Sequence, residues 1–211
     1  MKTLLNQWRW LFLMLSTCAF SQKALVIVAH PNMAQSEVNR QLLKAVSAMP
    51  NVTIHELYRT YPDEKINVTT EQQLLRTHQL IVFQFPLYWF SAPSLLKKWM
   101  DEVVTSKFAL EAGNPLKGKK LLIATSAGGT ADDFRHGGLM NISIDEALTP
   151  YEAFARLCQL DYQPAFVTYG VPNPTILNIK QSEAEQKERQ QYIDNQAKMY
   201  VAYIAKLLAT K

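Results

Sequence analysis

The sequence predicts an α/β fold: a doubly wound, five-stranded parallel sheet with strand order 2-1-3-4-5. Three observations carry that reading. Apolar, β-rich runs at 24–29 (ALVIVA), 80–85 (LIVFQF) and 121–125 (LLIAT) do not alternate with polar residues, as for central strands buried on both faces. Stretches with helical spacing of apolar residues lie between them. Each of the three runs also breaks into a loop of small, polar or aromatic residues, and open α/β sheets bind ligands at that end of their strands.

Taken in order, the first run stops at His30-Pro31, and the polar loop 32–36 leads into a helix with Val38, Leu42, Leu43 and Val46 on its apolar face. A helix start leaves backbone N–H groups unpaired and is a ready anion site. Residues 51–57 (NVTIHEL) alternate well enough for a second strand outside the first, and 71–78 reads as a short helix after a loop. The third run breaks at Pro86, and Tyr88, Trp89 and Phe90 crowd the turn that follows. Ser91 is placed to cap a helix beginning at Pro93. That helix sets Leu95, Leu96, Trp99, Met100, Val103 and Val104 against a polar face of Lys97, Lys98, Asp101 and Glu102. The turn-rich segment 111–119 precedes the fourth run, and Ser126-Ala127-Gly128-Gly129 follows it directly. Small residues there let a backbone approach a ligand closely. A helix over 145–160 has Asp145 and Glu146 in its first turn and Pro150 inside or near it. The fifth strand is expected over 164–170 (PAFVTYG). Ser182 with Glu185 reads as a capping box that opens a last helix running towards Leu208.

The bulk properties narrow the function. A chain of 211 residues with 48% hydrophobic and 19% charged content can bury one sizeable core, so 22–211 is expected to form one domain. A net charge of +4 without a long basic run gives no nucleic-acid footprint. A pI near 9.0 disfavours an acidic electron carrier. Cys18 and Cys158 form no redox or metal spacing, and His30, His55, His78 and His136 lack zinc-ligand spacing, so no metal is expected. Residues 1–21 read as signal-like: Lys2 and Arg9 precede a short apolar run and a small-x-small sequence. A mis-chosen start or an amphipathic anchor fits the same residues.

The stretch FQFPLYWFSAPSLLKKWMDEVV closely resembles the second flavin loop of the flavodoxin-like NAD(P)H:quinone oxidoreductases. Within that family it is most similar to the small bacterial ancillary proteins of glutathione-gated Kef potassium-efflux systems. The resemblance runs from about Ala24 to Val171 and implies a flavodoxin-like fold. AHPNMAQSEVN matches the family's flavin-phosphate loop, which assigns His30, Ser36 and Asn39 to the phosphate end. Pro86, Leu87, Tyr88, Trp89 and Phe90 would carry the isoalloxazine, and Ser126, Ala127, Gly128 and Gly129 would meet its polar edge. The resemblance further implies FMN, with FAD as the alternative, NAD(P)H as hydride donor, and a quinone-like acceptor reduced by two electrons in a ping-pong cycle. It implies a homodimer as well. Where the best-known members carry a tyrosine and a histidine for proton movement, this chain has Phe134 and Met140; Phe134 and nearby His136 become the candidate pocket lining, and solvent the proton source. The second reading is a regulatory ancillary subunit docked on a Kef-type antiporter. Either role implies a cytoplasmic protein, with peripheral placement at the inner membrane as a variant; export is disfavoured because nicotinamide cofactors are cytoplasmic.

Overall fold

The computed structural model describes residues 22–111, 113–172 and 180–210. The signal-like segment 1–21, Cys18 included, lies outside the described residues.

Among the described residues six strands make one parallel sheet: β1 Ala24–Val28, β2 Val52–Glu56, β3 Leu80–Pro86, β4 Lys120–Ser126, β5 Asp161–Tyr162 and β6 Phe166–Thr168. The order is β2-β1-β3-β4-β5, with β6 also paired to β4. The 2-1-3-4-5 order read from the sequence holds, and the fifth position is divided. Asp161–Tyr162 pairs with the beginning of β4 and Phe166–Thr168 with its end. Pro164 falls in the gap, where its missing N–H could not complete the ladder. Every residue of β1 and β3 is buried, which is why both strands are written as unbroken apolar runs.

Among the described residues seven α-helices cover the faces: α1 Val38–Val46, α2 Leu57–Thr60, α3 Val68–Thr77, α4 Ser94–Val103, α5 Ser106–Ala109, α6 Ile144–Leu157 and α7 Glu183–Ala209. Successive strand residues point to opposite sides, so the sheet feeds two cores. One packs Leu25, Ile27, Phe83 and Ile123 against Leu95, Trp99, Leu148 and Tyr151 of α4 and α6. The other packs Val26, Val82 and Leu122 against Leu42, Ala197, Tyr200 and Ile204 of α1 and α7. No helix among the described residues is long and apolar enough to cross a membrane.

Several boundaries move from the expected ones. The helix expected over 71–78 begins three residues earlier, because the Asn67 side chain accepts a hydrogen bond from the Thr70 N–H at 3.1 Å and caps it. α4 starts at Ser94 with Pro93 in the capping position, and Ser91 does not cap it. Ser91 instead exchanges two backbone hydrogen bonds with Tyr88, of 2.8 and 3.0 Å, and closes a tight turn. α6 opens on a capping box between Ser143 and Glu146, upstream of the Asp145 start, and carries Pro150 inside it. The Ser182–Glu185 box opens α7, a helix of 27 residues. Cys158 follows α6 as a small buried residue, and burial pushes its thiol up.

Candidate functional site at the carboxyl edge of the sheet

β1, β3 and β4 release their chains side by side at one edge, and the three following segments enclose a cleft of about 310 Å³. This is the crevice that a doubly wound sheet leaves where strand order reverses, between β1 and β3.

The first segment supplies His30, Ser36 and Asn39. The Asn32 N–H donates to His30 Nδ1 at 3.1 Å, so the neutral ring carries its proton on Nε2. Burial pushes the imidazole below its usual range and keeps it neutral. Ser36 Oγ accepts the Asn39 N–H at 3.2 Å, which fixes the first turn of α1 and leaves the hydroxyl proton to donate. Asn39 is almost fully buried, and its Nδ2 donates to Ser126 Oγ at 3.0 Å, tying the first segment to the third. Gln84, buried in β3, donates to the Asn39 carbonyl at 2.9 Å and takes the Tyr200 hydroxyl at 3.2 Å. Asn39 Oδ1 is buried without a partner. An orphaned acceptor beside the N–H groups of a helix start fits a ligand that offers hydroxyl donors and ends in an anion.

The second segment supplies Pro86, Leu87 and Tyr88. The Leu87 N–H donates to the Ser126 carbonyl at 2.9 Å, so the wall is held by β4. Tyr88 meets the His30 ring edge-on at 6.2 Å, and burial raises its phenol, with Tyr58 adding to the effect. Trp89 and Phe90 both have positive φ, 48° and 64°. Two successive left-handed residues turn the Trp89 side chain out of the cleft, where it is 94% exposed. Phe90 leans on Phe134, centroids 6.3 Å apart, and Phe134 on Tyr169 at 6.2 Å.

The third segment supplies Ser126, Ala127 and Gly128. Gly129 turns away: its carbonyl accepts the Gly170 N–H at 2.8 Å, and a Cβ on it would stand 3.0 Å from the Phe134 ring. Phe134 is thereby buried under the loop. His136 lies outside the cleft, exposed and 3.0 Å from Glu146 Oε1. Of the sequence-predicted site residues, nine therefore line one cleft: His30, Ser36, Asn39, Pro86, Leu87, Tyr88, Ser126, Ala127 and Gly128. Trp89, Phe90, Gly129, Phe134 and His136 stand outside that lining.

Sequence reasoning missed the cation beside the start of α1. Arg189 of α7 lines the cleft, and its Nε donates to Glu37 Oε2 at 2.6 Å across the start of α1. Val171 and Pro172 close the same side. The one available signal was the capping box at Ser182, which places Arg189 early in α7.

The flavodoxin-like fold family matches residues 22–195. A Bacillus subtilis protein named as the uncharacterized NAD(P)H oxidoreductase YrkL is 42% identical over 161 residues, 76% of this chain and 92% of its own length. The glutathione-regulated potassium-efflux ancillary protein KefG of Cronobacter sakazakii is 40% identical over 148 residues, 70% of this chain and 80% of that protein. A crystal structure of general stress protein 14 from Treponema denticola in complex with FMN superposes with a TM-score of 0.78 at 40% identity, covering 88% of this chain and 99% of that one. A crystal structure of an NADPH-quinone reductase from P. pentosaceus superposes with a TM-score of 0.66 at 35% identity, covering 82% and 97%. The matched span includes all six strands and the three segments of the cleft, and on these grounds the chain belongs to the flavodoxin-like fold family, among the NAD(P)H oxidoreductases and the Kef ancillary proteins.

Proposed function

We propose that this protein binds FMN in the cleft between β1, β3 and β4 and works as an NAD(P)H oxidoreductase with a quinone-like acceptor. The observation that carries the reading is the meeting of His30, Ser36 and Asn39 with Leu87, Tyr88, Ala127 and Gly128 around one cleft. His30, Ser36, the start of α1 and Arg189 are the groups to hold the phosphate. Asn39 Oδ1 suits a ribityl hydroxyl. Leu87 and Tyr88 offer the flat wall, and the backbone of 126–128 offers its polar groups to the ring edge. The FMN-bound relative and the NADPH-quinone reductase support the cofactor and the acceptor class.

The flavin held by these residues would supply two-electron hydride chemistry between a nicotinamide donor and a quinone-like acceptor, and we read the turnover as ping-pong. The chain's own part is to bind, orient and shield. Phe134 is buried and His136 is paired with Glu146 outside the cleft, so protons are drawn from solvent. We further propose a homodimer that covers the exposed aromatic turn at Trp89 and Phe90. The relationship to KefG favours a second reading, a regulatory subunit on a Kef-type antiporter. Co-purification with the antiporter's cytosolic domain, at menadione turnover no faster than free FMN supports, is the result that would select it.

The test is an absorbance spectrum of the purified protein, then addition of NADPH and of menadione. A flavin spectrum that bleaches with NADPH and returns with menadione is expected. Protein that carries no chromophore and takes up neither FMN nor FAD overturns the proposal.

A further inference from the structure

Opposite the cleft lies the amino edge of the sheet, where the strands begin and the covering helices end. Lys23, Gln79 and Lys120 stand side by side there. The Gln79 N–H donates to the Lys23 carbonyl at 2.9 Å, and the Lys120 N–H to the Gln79 carbonyl at 2.9 Å. Two strand spacings, roughly 10 Å, separate β1 from β4, which is about one Debye length at 0.1 M salt. Arg76, in the last turn of α3, lies over the Phe108 ring, 5.0 Å from its centroid, and Lys107 precedes that phenylalanine in α5. Lys119 Nζ donates to the Arg76 carbonyl at 2.9 Å. The groups act on one another: after burial, Lys23 and Lys119 lower the proton affinity of His78, and Arg76 lowers that of Lys119.

Among the described residues, none of Lys23, Arg76, Lys107, Lys117 and Lys119 is paired with a carboxylate. The cleft edge differs: Arg59, Lys65, Arg135 and Arg189 are held there by Glu56, Asp63, Asp132 and Glu37. Helix dipoles account for Arg76 and Lys107 at helix ends, but not for Lys23 or Lys117.

Two large apolar side chains stand out on the same edge. Leu110, just past α5, is 46% exposed, and Leu157, the last residue of α6, is 65% exposed. The loop carrying Lys117 is tied to the end of α6: Asn114 Nδ2 donates to the Cys158 carbonyl at 2.8 Å, and the Gly118 N–H to the Gln159 carbonyl at 2.8 Å. Cations interleaved with exposed leucines match a lipid headgroup layer, where charge meets phosphate and apolar side chains reach the acyl boundary. Nucleic acid would take the charges and leave both leucines in water. Residues 1–21, outside the described residues, join the chain at this edge, since Gln22 Nε2 donates to the Thr210 carbonyl at 3.2 Å. Their sequence carries Lys2, Trp8, Arg9 and Trp10 ahead of the apolar run 11–15, and tryptophan and basic residues favour the headgroup zone.

We propose that the amino edge of the sheet docks on an anionic lipid surface, through its five unpaired cations with Leu110 and Leu157, and leaves the cleft facing the solution.

The test is sedimentation of the full chain with phosphatidylcholine vesicles, with and without phosphatidylglycerol. Binding is expected only with the anionic lipid. Lys107→Gln with Lys117→Gln should weaken it about thirtyfold, about fivefold for each charge. Lys65→Gln with Arg135→Gln makes the same change in net charge at the cleft edge and should alter binding less than about twofold. Leu157→Ser should weaken binding about fivefold, at low and at raised salt alike, because salt screens only the charges. Vesicles should leave an FMN titration unchanged. Equal losses in the two double variants mean that net charge alone acts, and binding that neither alters gives the contact to residues 1–21; either result overturns the proposal. So does FMN uptake blocked by vesicles, which would put the cleft edge on the lipid. Retention on polyglutamate through Lys107 and Lys117, with no binding to vesicles, gives the edge to an acidic protein partner and overturns it as well. Sedimentation needs no flavin, so it decides the docking face even where the FMN reading fails.

Discussion

Asn39 concentrates the chemistry of the cleft in one side chain. Its amide nitrogen is used on Ser126, its carbonyl oxygen is orphaned, and its backbone takes a bond from Gln84. If that orphan meets a ribityl hydroxyl, Asn39→Ala should weaken FMN and riboflavin by the same factor, about tenfold. Arg189→Gln should weaken FMN alone, by about tenfold or more, because riboflavin has no phosphate for it. Fluorescence-quenching titrations with both flavins separate these outcomes, and an equal loss of both in Arg189→Gln would take Arg189 off the phosphate. His30, Ser36 and Asn39 were legible because one short loop spells them out. Arg189 was not, since Glu37 and Arg189 lie 152 residues apart and no sequence pattern states that α7 crosses the start of α1. Trp89 marks the opposite failure: an aromatic triplet reads as a wall, but the backbone of the turn decides where each ring points. Left-handed backbone costs a non-glycine residue roughly 1–2 kcal/mol, and Asn-Gly is the pair suited to two such positions. Replacing Trp89 by Asn and Phe90 by Gly should therefore raise the Tm of dilute protein by about 2–4 °C, as scanning calorimetry would show. A lower Tm would mean that the Phe90 contact with Phe134 outweighs the strain.

Among the elements, α3 carries the least expected residue. The sequence sets Glu71 as the first residue of a short helix, and glutamates normally face water. It is instead fully buried, accepts hydrogen bonds from Trp99 Nε1 at 2.8 Å and from the Tyr61 hydroxyl, and stands 2.9 Å from His55 Nε2. His55 Nε2 stands close enough to the carboxylate to favour its ionised form, ahead of Tyr61 and Trp99. Burial drives the Glu71 carboxyl up, but these partners outweigh it and hold it below its usual range. The three partners come from β2, the segment after α2, and α4, and no local pattern announces their convergence. His78, at the end of α3, is held in the same way: Nδ1–H donates to the Leu74 carbonyl at 2.7 Å, and Nε2 accepts the Thr53 hydroxyl at 2.8 Å. Burial, with Lys23 and Lys119 nearby, outweighs the Leu74 bond and lowers its proton affinity. The unfolded chain therefore binds more protons than the folded one once pH falls below the ordinary histidine value of about 6.5, and stability is lost as acid is added. Glu71 acts in the same sense at lower pH, since its stabilisation disappears as pH falls through its depressed folded value. Urea midpoints should decline from pH 7 to pH 5, and His78→Gln should flatten part of that slope. An unchanged slope in the variant would assign the decline to other groups.

At the scale of the whole molecule, the parallel order was legible because buried central strands and helical periodicity leave few right-handed topologies to choose from. The division of the last strand position was not, because the pairing of Asp161–Tyr162 with β4 is a tertiary event with no apolar run behind it. The same scale explains why a strained and exposed turn would persist. Trp89 contributes almost nothing to this chain's core, and its backbone conformation is unfavourable, so within one chain it is a loss without a return. Covering the turn with a second copy would give it one, since burying a tryptophan at an interface contributes more than the strain costs. Sedimentation at micromolar concentration should then show a dimer for the natural sequence. The Trp89→Asn, Phe90→Gly variant should dissociate at concentrations at least tenfold higher, even though its isolated fold is the more stable of the two. Activity decides what the dimer is for. Turnover that falls in step with dissociation means that the acceptor site is completed by the partner, whereas a monomeric variant with undiminished menadione turnover means that each chain's cleft is sufficient by itself.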